Sequence, residues 1–149
     1  LNGGKTFLQL LAQMQITAKT AATNDATQEL GAALQQAVQR LGAVAQFFAT
    51  QRGTPPGLVT ANSAVFLDLM GRVVIAWIWT WQANVAAAAL QAGKVAVDEK
   101  LAVDDEAFYQ GKLQAARYFA RWELPRTVQQ AELLMKLDDT CIAMEDAWF

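Results

Sequence analysis

The segment Val73-Val74-Ile75-Ala76-Trp77-Ile78-Trp79 decides the fold class, because its unbroken apolar run lies inside a long stretch with helical periodicity. Within that stretch one stripe repeats at spacings of three and four residues, formed by Val65, Leu69, Val73 and Ala76. A helix that is apolar on every side is expected to be buried on every side. The sequence therefore predicts a long, buried central helix from about Thr60 to Gln91.

Two amphipathic segments precede this central helix. A helix from about Lys5 to Ala22 is indicated by apolar residues at helical spacing, namely Phe7, Leu11, Met14 and Ala18. The next segment starts at Asp25, which with Gln28 has the spacing of a capping box, and it keeps helical period to about Gln51. The Pro- and Gly-rich stretch Arg52–Gly57 cannot continue a helix, so it is predicted to join two antiparallel neighbours.

The C-terminal third predicts two further helices on either side of Pro125. Gly93 is expected to end the central helix, and Val95–Asp104 is predicted to be a connection or a short extra turn. A fourth helix then starts near Asp104 or Asp105 and carries on one side Phe108, Ala115, Phe119 and Trp122. A fifth helix follows Pro125 and extends through 138–149. The whole chain, residues 1–149, is thus predicted to be a single all-α domain, an antiparallel helical bundle of about five helices around a long apolar central helix.

Composition excludes several classes of protein. Apolar residues make up 54% of the chain and charged residues 17%, which excludes disorder. The net charge of −2 provides no basic footprint, so we expect no nucleic-acid partner. The absence of histidine excludes Ser-His-Asp and Cys-His catalysis. The single cysteine, Cys141, cannot form an intrachain disulfide, which favours a reducing compartment, and we expect a cytoplasmic protein.

No pattern of residues predicts a catalytic, cofactor-binding or metal site. The adjacent acids Asp104-Asp105 and Asp138-Asp139 point in different directions on a helix, which favours helix ends or a solvated face over acid–base catalysis. The acidic group around 99–106 could bind a hard cation in principle but lacks the EF-hand spacing. We therefore expect no catalytic residue, no cofactor-binding residue and no metal-binding residue in this chain.

The uncharged stretch Val73–Gly93 is long enough to span a bilayer, which makes a membrane-spanning helix one hypothesis. Gln82, Asn84 and Gln91 would be costly in lipid, and a buried core helix explains the same stretch. Membrane contact is therefore not expected. A peripheral membrane adaptor, touching lipid through its tryptophans, stays a third hypothesis.

A protein interface is the stronger hypothesis for the same region. Asp68 and Arg72 lie one helical turn apart and are the only charged residues between Arg52 and Lys94. The polar faces of the helices carry Gln, Thr and Ala more than Lys and Glu, which suits a body that docks against another surface. The candidate interface residues are Asp68, Arg72, Trp77, Trp79 and Trp81.

Four stretches resemble the extra C-terminal domain found in a bacterial group of acyl-CoA dehydrogenases. They are Leu1-Asn2-Gly3-Gly4-Lys5-Thr6-Phe7; Phe66-Leu67-Asp68-Leu69-Met70-Gly71; Lys112-Leu113-Gln114-Ala115-Ala116-Arg117-Tyr118-Phe119 followed by Leu124-Pro125; and Met144-Glu145-Asp146-Ala147-Trp148-Phe149. Their order along the chain is similar to that of the family, and the resemblance covers essentially the whole sequence.

The resemblance implies that the parent enzyme oxidises an acyl-CoA at its α and β carbons, with FAD accepting the hydride and a glutamate removing the α proton. The family's flavin, CoA and catalytic motifs lie in upstream domains, and none of them matches residues here. The chain is therefore expected to be a C-terminal accessory or oligomerisation domain that is inactive alone, with the upstream catalytic domains and further copies of itself as partners. A stand-alone helical interaction module is the alternative.

Overall fold

The computed structural model describes residues 4–92 and 99–148, and these form helices, turns and short irregular connections without a strand. The six α-helices are α1 (Lys5–Ala22), α2 (Gln28–Thr50), the short α3 (Pro56–Thr60), α4 (Ser63–Gln91), α5 (Glu99–Tyr118) and α6 (Thr127–Met135). A π-helical turn (Phe119–Glu123) and a 3-10 turn (Leu124–Arg126) join α5 to α6, and a last 3-10 turn covers Asp146–Trp148. The all-α prediction is confirmed.

Helices α1 and α2 form an antiparallel pair in close contact. Gly31 of α2 lies against α1 so tightly that a Cβ atom there would sit 2.6 Å from the carbonyl oxygen of Ala18. The predicted capping box at Asp25 does not form, and α2 begins three residues later than expected. The buried Thr27 stabilises the turn between α1 and α2 instead, because its hydroxyl donates a 2.9 Å hydrogen bond to the carbonyl oxygen of Ala21.

Helix α4 contacts α1, α2, α5 and α6. It runs antiparallel to α2, since Phe48 packs against Phe66 near one end while Leu30 clusters with Ala83 near the other. This arrangement confirms the antiparallel neighbours predicted on either side of Arg52–Gly57. The expectation that α4 is buried on every side is wrong, because its neighbours cover one side only, formed by Leu69, Val73, Ala76, Thr80, Ala83, Ala86 and Ala87.

The C-terminal third departs from the predicted boundaries. Helix α5 is already formed at Glu99, so the predicted connection is wrong for residues 99–104; its first part and the predicted stop at Gly93 lie outside the described residues. Pro125 does interrupt the helix as predicted. The buried Thr127 holds this bend, because its hydroxyl donates to the carbonyl oxygen of Leu124 (2.7 Å) and accepts from the Arg40 guanidinium (2.9 Å).

The predicted helical extension beyond α6 is wrong. Leu137 has a φ of 52°, in the left-handed region that ends a helix. The Asp138 carboxylate then accepts hydrogen bonds from the backbone N–H and the hydroxyl of Thr140. Asn62, just before α4, donates to the backbone carbonyl of Asp138 (2.8 Å), so this turn is fixed to the rest of the bundle.

Candidate assembly face

An exposed apolar stripe follows the side of α4 that the bundle leaves uncovered. It is formed by Leu67, Ile75, Ile78, Trp81 and Val85. Antiparallel α5 and the π-helical turn lie beside it and add Phe108, Tyr118 and Trp122. These eight side chains are between 41% and 69% exposed. We call this surface the α4/α5 face.

Three shallow grooves lie along the seam between the two helices. The first, about 610 Å³, runs from Ala64 to Ile75 beside Glu123; the second, about 650 Å³, lies at Trp79 and Ala115. The third, about 440 Å³, lies at Trp81 and Phe108. Together they make the face a long, ridged apolar surface rather than one enclosed ligand pocket.

The candidate pair Asp68 and Arg72 lies at one end of the face. The Arg72 guanidinium donates to the Asp68 carboxylate (3.1 Å) and to the Glu123 carboxylate (2.8 Å), which also lies 3.3 Å from Arg126. The hydrogen bonds from Arg72 and then Gln130 lower the pKa of Asp68. Burial lowers the pKa of Arg72, but its bonds to the two carboxylates outweigh this and leave it raised. The network ties α4 to the π-helical turn.

The three candidate tryptophans have different surroundings. Trp77 is half-buried and faces α1, where its Nε1 donates a 2.8 Å hydrogen bond to the hydroxyl of Thr17. Trp79 is half-buried in the seam, with Nζ of Lys112 5.5 Å from its ring centre. Trp81 is the exposed one. The structure thus brings Asp68, Arg72, Trp79 and Trp81 to the α4/α5 face and places Trp77 against α1.

Sequence reasoning missed the contribution of α5 and of the turn after it. The side predicted for Phe108 and Trp122 is exposed, whereas α5 packs through Leu113 and Ala116. The signal was present, since Phe108, Gly111, Ala115, Tyr118 and Trp122 repeat at helical spacing. Tyr118 and Trp122 stack on each other with their ring centres 6.3 Å apart.

The donor set of the face does not fit a flavin, whose pyrophosphate and ring need several convergent polar groups. Arg72 already donates hydrogen bonds to two carboxylates, and Lys112 lies over the rings of Trp79 and Phe108, so both cations have partners within the chain. The Oε1 atom of Gln82 is buried without a hydrogen-bond partner among the described residues. Within the same residues, no three Asp, Glu or Cys side chains gather as metal ligands. The arrangement is suited to packing against a surface.

The segment Pro56–Gln91 is long and apolar enough to cross a membrane by length and composition alone. Its packing favours a bundle helix, because one side of α4 lies against four other helices. The segment also carries Asn84 in this contact, whose Nδ2 donates to the backbone carbonyl of Thr17 (3.3 Å). These contacts account for the apolar character of its covered side only.

Comparison with known proteins gives two matches. The family model described as "Acetyl-CoA dehydrogenase C-terminal like" matches residues 10–145. The broad-specificity linear acyl-CoA dehydrogenase FadE5 of Mycobacterium tuberculosis is 34% identical over 91 residues, which are 61% of this chain and 14% of that enzyme. The chain thus matches only a small part of that relative's length. No solved structure gives a significant match.

Proposed function

Because this chain belongs to the family of acetyl-CoA dehydrogenase C-terminal-like domains, we propose that it is the non-catalytic accessory domain of a longer, FAD-dependent acyl-CoA dehydrogenase. The observation that carries the proposal is the family match over 10–145, together with a relative in which the matching segment is a small fraction of the enzyme. In such an enzyme FAD accepts the hydride removed from the acyl-CoA. The domains outside this segment would bind it.

The role of the chain itself is assembly. The α4/α5 face supports this, because contiguous exposed apolar surfaces of this kind mark interaction sites. Its partners are the catalytic domains of the same cytoplasmic enzyme and further copies of the subunit, and the contact is with protein rather than lipid. The glutamate nearest this face, Glu123, is engaged by Arg72 and Arg126, so it serves structure and not proton abstraction.

Two measurements test this proposal. An antibody against the chain should detect, in extracts of the source cells, a protein several times heavier than 16.2 kDa. The purified 149-residue chain should show no flavin absorbance and no acyl-CoA oxidation. A band near 16.2 kDa would instead support the stand-alone interaction module, and bound flavin at one per chain would refute the accessory role.

A further inference from the structure

We propose that the α4/α5 face is a two-fold symmetric interface between two copies of this chain. The inference rests on the assembly role proposed above and deepens it by naming the occupant of the face. A two-fold contact is the commonest way in which identical subunits associate, and it requires one surface to be complementary to itself.

The exposed apolar area is large enough for such a contact. An aromatic side chain offers about 150–250 Å², so the exposed parts of Trp81, Phe108, Tyr118 and Trp122 together present roughly 500 Å². Four aliphatic residues of α4 add to this area along the same face. A stable interface of standard size buries about 800 Å² on each partner, which this face can supply from its apolar side chains and groove walls.

The charges of the face also suit a second copy. Ile78 and Ala115 lie near the centre of the face, Lys112 lies one helical turn from Ala115, and Asp68 and Glu123 lie at one end. Asp68 and Glu123 are already paired with Arg72 and Arg126, so a second copy can cover this end without providing new counter-charges for them.

The helix geometry fits the same arrangement. Antiparallel α4 and α5 each present an outward stripe at spacings of three and four residues, the pattern by which helices pack in four-helix layers. Gly71 and Gly111 have nothing within 4 Å of where a Cβ would lie, so the facing helices of a second copy can approach closely there. Two copies would therefore bury both stripes at once.

The first test is the oligomeric state of the 149-residue chain, measured by sedimentation equilibrium. We expect a mass of twice 16.2 kDa at micromolar concentration. Ile78→Lys places two cations near the axis and should raise the dimer dissociation constant at least 100-fold. The control Leu8→Lys, on the exposed side of α1, should leave it unchanged. Circular dichroism checks that both variants stay folded.

The second test uses disulfide cross-linking to measure whether the contact between copies is two-fold symmetric. In a Cys141→Ser background, Ala115→Cys should give a covalent dimer on mild oxidation, because a residue near a two-fold axis meets its own copy. Leu8→Cys should not. Monomers at every concentration, a ladder of higher oligomers, or equal cross-linking of both variants would overturn the proposal.

Two further results would assign the face to another occupant and so overturn the inference. One is binding to phosphatidylcholine–phosphatidylglycerol vesicles that Ile78→Lys abolishes. The other is a monomeric chain whose antibody detects a much heavier protein, which would leave the accessory role standing and give the face to the catalytic domains. Failure of the accessory role is read separately, from the mass of the native protein and from bound flavin.

Discussion

The two sides of α4 are both apolar, yet they have opposite surroundings. In the C-terminal half of the helix, the covered side is built mainly from alanine, with Ala83, Ala86 and Ala87 nearly inaccessible to solvent. The uncovered side carries Ile78, Trp81 and Val85. Burial of apolar area stabilises in proportion to that area, so a lone domain gains most by burying its larger side chains. The reversed order is the one expected if the large side chains are buried by the assembly proposed above.

The largest expected effect on the free energy of unfolding separates two leucines of α4 that lie two residues apart, one on its covered side and one on its uncovered side. Leu69 is inaccessible to solvent, whereas Leu67 is 69% exposed. We expect Leu69→Ala to lower the free energy of unfolding by about 2–5 kcal/mol, the usual cost of a cavity in a core. Leu67→Ala should change it by less than about 0.5 kcal/mol.

Urea denaturation at a concentration where the chain is monomeric measures both leucine variants. Similar losses at the two positions would mean that the outer side of α4 is packed within one chain. Leu67→Ala should act instead on self-association, where it removes apolar area from the proposed interface. That separation of effects distinguishes a surface used for folding from one used for assembly.

A pair of glycines sharpens the comparison between covered and uncovered surfaces. At Gly31 an added Cβ would meet backbone atoms of α1 at 2.6 and 2.9 Å, so Gly31→Ala should cost about 1–3 kcal/mol or more through overpacking. At Gly71 the space is open, and Gly71→Ala should stabilise the monomer by up to about 1 kcal/mol through helix propensity. Thermal unfolding should shift in opposite directions for the two variants, and a shared sign would contradict the assignment of the two surfaces.

Local patterns explain why the sequence predicted the helices but not the side on which α4 is covered. Helical spacing is a property of neighbouring residues, so α1, α2 and α4 could be located from it. When residues such as Val73 and Ile78 on opposite sides are equally apolar, periodicity does not distinguish the covered side from the exposed one. Which side of α4 is covered depends on the other helices that pack against it.

The candidate ion pair shows the same limit. Asp68 and Arg72 could be paired from the sequence because they are four residues apart on one helix. Glu123, the closer partner of Arg72, lies 51 residues away, beyond α5. It lies in the π-helical turn that precedes Pro125. The position of that turn depends on tertiary packing, so the network could not be predicted from spacing.

The smallest expected effect concerns this turn, where successive side chains face opposite surroundings. Trp122 is exposed on the α4/α5 face, whereas Arg121 points to α2 and donates two hydrogen bonds, 2.7 and 2.8 Å, to the Glu29 carboxylate. These bonds lower the pKa of Glu29 below its usual 4.5. Because folding favours the ionised carboxylate, the contribution is fully present above about pH 4.5 and is lost as the pH falls through the lowered value.

Glu29→Gln should therefore destabilise the chain slightly at pH 7, and its difference from wild type should shrink as the pH is lowered toward 3. Urea titrations at several pH values measure that difference, with Glu132→Gln, an exposed glutamate on α6, as the matched control. The difference should also shrink in high salt, which screens exposed charges. If the effect of Glu29→Gln is the same at every pH, Arg121 does not hold the turn through this carboxylate. The outward orientation of Trp122 would then have to be fixed by the π-helical backbone alone.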